Sequence, residues 1–155
     1  MFYQITLFLH SWLRWVVMLL LLATLFTSLY GWLFKKIFTD AHQKLFKLSS
    51  MLLGILGLIG IVLFLVASPI TTTILYHNIK GITANAGITF FTLRHPLAMF
   101  AAIMISEAGQ KRANKMLLSA GKFKTWFLFT LIVLLIIAAN IPWPFLSFGR
   151  PLFRF

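Results

Sequence analysis

The sequence contains no cysteine in its 155 residues. This absence excludes disulfide bonds, iron–sulfur clusters, haem or zinc held by thiolates, and the thioether-linked haem of c-type cytochromes. Acidic side chains are nearly as scarce, since Asp and Glu together number 2. Di-iron and calcium sites built from several carboxylates are therefore excluded as well.

Charged residues of both signs make up only 10% of the chain, whereas 61% is hydrophobic and the mean hydropathy is +0.96. A water-soluble domain of this composition would lack the polar surface to cover its core. A lipid bilayer is therefore the predicted solvent. The net charge of +12 comes from basic residues that mostly flank the apolar segments. That distribution indicates contact with anionic lipid headgroups and not with nucleic acid.

Four apolar segments predict an all-α fold, an integral membrane four-helix bundle of up-and-down topology. The predicted spans cover approximately residues 5–33, 45–67, 88–107 and 125–141 of a single domain, residues 1–155. Each is near or above the roughly 20 residues that cross a bilayer. Pro96 lies inside the third span, where its ring removes one backbone hydrogen bond and crowds the preceding turn. The third helix is therefore predicted to be kinked near Pro96 or to begin near Thr92.

The connections between the spans are predicted to be polar. Residues 69–87 combine three consecutive threonines with helix-weakening glycines and an asparagine, which predicts an external loop with a short interfacial helix or strand. Residues 110–124 predict a basic loop. Asp40 is the predicted cap of the second helix, and His42 and His77 are predicted to be solvated.

The basic residues divide unequally between the two sides of the predicted membrane, nine against five. Because lysine and arginine accumulate in cytoplasmic loops, the richer side is predicted to be cytoplasmic and both chain termini external. The cytoplasmic set is Lys35, Lys36, Lys44, Lys47, Lys111, Arg112, Lys115, Lys122 and Lys124, and the external set is Arg14, Lys80, Arg94, Arg150 and Arg154.

Two pairs of ionisable residues lie inside predicted spans: His10 with Arg14 in the first, and Arg94 with His95 in the third. Such residues are costly in hydrocarbon and are typical of functional sites. In an up-and-down bundle the first and third helices are parallel and diagonally opposed. Since His10 and His95 lie at depths that agree within a turn, their imidazoles are predicted to face each other near the external side.

Two opposed imidazoles are suited to bind a haem iron from both faces. Arg14 and Arg94 are suited to pair with the haem propionates, because a guanidinium and a carboxylate match in a fork. On the second helix, Gly54, Gly57 and Gly60 recur every third residue. Gly57, in the middle of this strip, is predicted to offer a flat surface to the macrocycle. The alternative is that the strip serves helix packing alone.

The same two histidines leave other interpretations open. They are also suited to hydrogen-bond the oxygens of a quinone, to relay protons, or to bond only to backbone carbonyls as internal polar packing. In the last case the protein is a non-catalytic accessory subunit of a larger membrane complex. A zinc site would need more ligands than His10 and His95, and His77 is available as a third.

Three blocks of the chain resemble those of a known family. They are His10-Ser11-Trp12-Leu13-Arg14-Trp15, Arg94-His95-Pro96-Leu97-Ala98-Met99 and Ile141-Pro142-Trp143-Pro144-Phe145. In this order they resemble the recurring blocks of small bacterial four-span membrane proteins described as cytochrome-b-like. The resemblance covers essentially the whole chain.

This resemblance implies a multi-pass protein of the bacterial inner (cytoplasmic) membrane that binds haem b and takes part in membrane electron transfer. His10 and His95 would be the axial ligands. It favours an electron carrier over a stand-alone enzyme, with a redox partner or a larger membrane complex, and homo-oligomerisation stays open. Diheme b-type cytochromes have two further helical histidines near the opposite face. Because His42 lies in a predicted loop, at most one haem b is expected here.

Overall fold

The computed structural model describes residues 1–153, and within them it contains helices and no β-strand. Arg154, which entered the charge count above, lies outside the described residues. The α-helices are α1 (Phe2–Leu33), α2 (Asp40–Val62), α3 (Pro69–His77), α4 (Ala86–Thr89), α5 (His95–Asn114) and α6 (Ser119–Ala139). Four helical units are long and apolar enough to cross a membrane: Phe2–Leu33, Asp40–Ala67, Ala86–Asn114 and Ser119–Ala139. The predicted all-α membrane bundle is therefore confirmed.

The four long units pack as a square. Helix α1 packs against α2 and α6, and α5 packs against the same two helices. The diagonal pair is therefore α1 and α5, as the up-and-down topology predicts. The main core lies between the four units, and its fully or nearly fully buried members are Val17, Leu21, Leu53, Leu56, Ala102, Val133, Leu134, Ile137 and Ile141.

Small side chains allow the helices to approach closely in the half of the bundle away from His10. A Cβ added to Gly31 of α1 would lie 2.5 Å from the Phe123 ring of α6, and one added to Gly109 of α5 would lie 2.6 Å from Phe129. Buried hydroxyls also join neighbouring helices in pairs, Thr24 with Ser49 at 2.7 Å and Ser50 with Ser106 at 2.8 Å. Both features are typical of helix packing in membranes, where lipid supplies no hydrophobic force between helices.

The start of the second long helix differs from the prediction. Helix α2 begins at Asp40, five residues before the predicted span, and the capping residue is Thr39, not Asp40. The backbone N–H of Thr39 donates to Nδ1 of His42 at 3.1 Å, the reciprocal half of a capping box. His42 is half-buried with its ring 5.0 Å from that of Phe123. The prediction that His42 is merely solvated was therefore wrong.

The irregularity expected around Pro96 is a π-helical turn, Phe90–Arg94, between α4 and α5. The backbone N–H of His95 bonds the carbonyl of Phe90 across this wider turn. Because Pro96 has no N–H to donate and its ring crowds the turn before it, a widened turn at this place keeps the helix continuous. A π-bulge is also a recognised cause of helix bending. No helix begins at Thr92, since the third unit runs from Ala86 to Asn114.

Two predicted loops are mostly helical. Residues 69–87 contain α3 and the 3₁₀ helix Ile79–Thr83, with Pro69 at the first position of α3, where its missing N–H costs nothing. The predicted basic loop 110–124 is reduced to residues 115–118, because α5 extends to Asn114 and α6 begins at Ser119. Its basic residues therefore project mainly from the helix ends.

Candidate functional site

His10 of α1 and His95 at the start of α5 lie together in the bundle. Their ring centroids are 6.5 Å apart, and the ring planes are inclined by 73°. The two residues are 85 positions apart in the sequence, and they meet because the diagonal helices present them at the same depth. The structure thus brings together the two histidines that the sequence pattern pairs.

The backbone at the end of α6 fixes the orientation of His95. Its Nδ1 lies 2.8 Å from the carbonyl oxygen of Asn140, the residue that follows the last turn of α6. A carbonyl at a helix C-terminus has no partner within the helix, so Nδ1–H of the neutral imidazole satisfies it. This bond leaves Nε2 of His95 as the nitrogen that can accept a proton or bind a metal ion.

His10 is oriented by α2. Its ring lies against Gly60, where an added Cβ would be 3.4 Å from Cε1. Its Nδ1 is buried and has no hydrogen-bond partner within residues 1–153. A buried polar atom without a partner is uncommon and calls for a reason. His95 thus bonds a backbone carbonyl through Nδ1, whereas Nδ1 of His10 is left without a partner among residues 1–153.

The two arginines predicted at the site are both engaged with backbone carbonyls. Arg94, which is exposed, donates from Nε to Oδ1 of Asn140 at 3.0 Å and from Nη2 to the carbonyl of Ala139 at 3.2 Å. A cation at the C-terminus of α6 also complements the helix dipole. Arg14 donates from Nη2 to the carbonyl of Leu152 at 2.8 Å. Both therefore support the frame around the histidines, and their pairing with propionates stays a prediction.

The segment after α6, residues 141–153, folds back over the same end of the bundle, and we call it the C-terminal strap. Trp143 donates from Nε1 to the carbonyl of Ala138 at 2.9 Å. Further along, Phe148 stacks on Phe90 with ring centroids 4.5 Å apart, and Phe153 stacks on Trp15 at 5.3 Å. The strap thus connects α1 to the π-helical turn that carries Arg94 and precedes His95.

Gly57, a predicted site residue, and His77, considered only as a further ligand of a zinc site, are not part of this arrangement. A Cβ at Gly57 would collide with the side chain of Ile103 on α5, which agrees with the alternative that this glycine serves helix packing. The glycine that faces His10 is Gly60. His77 is exposed at the end of α3. Within residues 1–153 no group of three or more His, Cys, Asp or Glu side chains is placed to hold a metal ion. A zinc site that includes His77 is therefore not formed.

Three contributors to the site were not predicted from the sequence. Asn140 joins Arg94 and His95 to α6, Phe90 lies 5.6 Å from the His95 ring, and Leu152 accepts bonds from both Arg14 and Trp15. The polar residue at the end of an otherwise apolar span was a usable signal for Asn140. The contact of Phe90 with His95 depends on the π-helical turn, and the bonds of Leu152 depend on how the strap docks; the sequence carried no signal for either.

No protein-family model matches this chain. No curated protein and no solved structure shows significant similarity to it. The functional assignment of the histidine pair therefore rests on its geometry.

Proposed function

We propose that the protein is a b-type membrane haem protein in which His10 and His95 bind the iron of one haem from opposite sides. The observation that carries the proposal is the 6.5 Å separation of the two ring centroids. Two imidazoles on opposite sides of one metal ion have centroids roughly 6 Å apart, because each metal–nitrogen bond is about 2 Å long and each nitrogen lies about 1 Å from its centroid.

The hydrogen-bonding state of the two rings supports this assignment. Histidines that bind a metal ion usually donate their second N–H to a carbonyl or carboxylate, which fixes the ring and raises its basicity. His95 does so to the carbonyl of Asn140. The partnerless Nδ1 of His10 is then the nitrogen that a ligand would satisfy.

The small number of protein ligands favours haem over a free metal ion. His10 and His95 supply two nitrogens, and residues 1–153 hold no third His, Cys, Asp or Glu beside them. A structural or catalytic zinc ion takes at least three protein ligands. A metal ion bound here must therefore bring its other ligands with it, as the iron of haem brings four pyrrole nitrogens.

The surrounding residues hold the ligands and exclude water. The Asn140 carbonyl sets the tautomer of His95, and Phe90 packs against the same ring. Arg94 donates hydrogen bonds from Nε and Nη2 to the end of α6. Its guanidinium has further N–H groups, and we assign these to a haem propionate at this end of the bundle. When bound, the haem would supply a one-electron carrier, and His10 and His95 as the residues that hold it would tune its potential.

We place the protein in the bacterial inner membrane with the histidine pair and both described ends of the chain toward the outside. The excess of basic residues at the opposite end of the bundle supports this orientation. An external haem would receive or deliver its electron at that face, through a redox partner or a larger complex.

Haem content tests the proposal. The full chain, His10→Ala, His95→Ala and the control His77→Ala are expressed with added haem precursor, purified in detergent and assayed by pyridine haemochrome. We expect about one haem per chain for the wild type and His77→Ala, and loss of most haem from both site variants. Full loading of a His10→Ala/His95→Ala double variant would overturn the assignment.

A second candidate function is that of an accessory subunit, in which these polar residues only join helices. The engagement of Arg14 and Arg94 with backbone carbonyls favours it. It predicts a colourless protein that co-purifies with a larger membrane complex, so the same preparation distinguishes the two candidates.

A further inference from the structure

A cleft of about 590 Å³ opens on the histidine end of the bundle, between α3, the start of the third span and the C-terminal strap. Apolar walls come from Ile70, Ile74 and Ile88, and two phenyl rings from Phe91 and Phe148. Its volume is in the range of small-molecule sites, roughly 300–1,000 Å³. The function proposed above makes no use of this cleft.

The polar groups that line the cleft are donors or hydroxyls. Arg150 is held with its guanidinium carbon 5.2 Å from the Phe91 ring centroid, and Thr73 and Ser147 present hydroxyls. Oδ1 of Asn85 accepts from the backbone N–H of Ile88 at 2.9 Å, which leaves its NH₂ group as a donor. Among the described residues 1–153, no carboxylate lines the cleft. The complementary ligand therefore carries acceptor oxygens on an otherwise apolar body.

The two phenyl rings of the cleft are linked to His95 of the histidine pair through one intermediate ring. Phe91 and Phe148 each contact Phe90, at 5.1 Å and 4.5 Å between centroids, and Phe90 lies 5.6 Å from the His95 ring. A flat conjugated ligand gains stacking energy from such walls, whereas a lipid phosphate gains none. A redox-active ring in the cleft would be a near neighbour of His95.

We propose that this cleft binds the headgroup of a membrane quinone. The two carbonyl oxygens of the quinone accept hydrogen bonds from Arg150 and from the amide or hydroxyl donors of the cleft. The quinone ring packs on Phe91 or Phe148, and the isoprenoid tail leaves the cleft along its isoleucine wall. The link to electron transfer rests on the haem proposed above, but binding itself does not require haem.

Binding of decylubiquinone, a benzoquinone with a ten-carbon tail, tests this inference on the detergent-purified full chain. Bound quinone is separated by gel filtration and quantified by its absorbance after extraction. We expect saturable binding near one per chain. Arg150→Gln should weaken it about tenfold or more, the factor for one charge-assisted hydrogen bond. Thr73→Trp, at an exposed position, should block it by filling the cleft. Arg112→Gln, an exposed arginine of α5 away from the cleft, should change nothing.

The His10→Ala variant separates this inference from the haem proposal. Quinone binding that survives in haem-free His10→Ala protein supports the cleft independently, even if the wild type proves to carry no haem. Wild-type affinity in both Arg150→Gln and Thr73→Trp would overturn the inference. So would binding no greater than the partition into empty micelles, or stoichiometric displacement of the quinone by phosphatidylglycerol, which would identify an anionic lipid as the occupant.

Discussion

Replacement of Asn140 by alanine should weaken the bundle while leaving the histidine pair in place. Asn140 is 9% exposed; its Oδ1 accepts from Arg94 at 3.0 Å, and its Nδ2 donates to the carbonyl of Ile136 at 2.9 Å. Asn140→Ala removes both bonds. The bond to His95 persists, because it uses the backbone carbonyl.

The expected loss follows from the kind of bond removed. Hydrogen bonds between membrane helices contribute about 0.6 kcal/mol on average and up to about 1.7 kcal/mol. A hydrogen bond from a charged donor contributes roughly 1.5–3 kcal/mol when it is buried away from water. Because Arg94 is exposed, the contribution of its bond to Asn140 is at the low end of that range. We therefore expect Asn140→Ala to lower the free energy of unfolding by about 1–2.5 kcal/mol.

Unfolding in mixed micelles of increasing dodecyl sulfate content, followed by far-ultraviolet circular dichroism, measures this loss. The matched control is Asn114→Ala, which removes only the exposed bond from Gln43 at 3.1 Å and should cost less than about 0.5 kcal/mol. A double-mutant cycle with Arg94→Ala should give a coupling of about 1 kcal/mol. If Asn140→Ala lowers the free energy of unfolding no more than Asn114→Ala does, the side-chain bonds of Asn140 at the end of α6 do not stabilise the bundle.

Three other substitutions test the packing of the bundle and of the strap. Gly31→Ala places a Cβ 2.5 Å from the Phe123 ring and should cost about 1–3 kcal/mol by overpacking. Gly54→Ala meets nothing within 4 Å and should be neutral or stabilise by up to about 1 kcal/mol through helix propensity; equal costs in the same unfolding assay would contradict the close packing of α1 on α6. Trp15→Phe loses the 2.9 Å bond to the Leu152 carbonyl and should speed proteolysis within residues 141–153, and an unchanged cleavage rate would show that this bond does not hold the strap.

The four spans and the meeting of His10 with His95 were predictable, because each depends on a simple count. Hydrophobic length sets the spans, and an up-and-down connectivity with equal depths sets the pairing across the diagonal. The ring separation of 6.5 Å was not predictable, because it depends on how closely Gly60 lets the His10 ring approach α2.

Other parts of the site depend on tertiary contacts that composition does not record. Asn140 holds His95 through its backbone carbonyl at the end of α6, a group that every residue has. Leu152 is bound by Arg14 and Trp15 from more than 130 positions away. The role of His42 was predictable in part, since Thr39 three residues earlier is the spacing of a capping box, although histidine seldom fills that position.

The absorption spectrum of the wild-type protein tests the central claim most directly. The full chain, expressed with adequate haem supply and purified in detergent, is recorded oxidised and then reduced with dithionite. Ligation by both His10 and His95 predicts a Soret band that sharpens on reduction with a narrow α band, the signature of six-coordinate haem. A featureless visible spectrum, or the broad bands of a five-coordinate haem, would contradict the account.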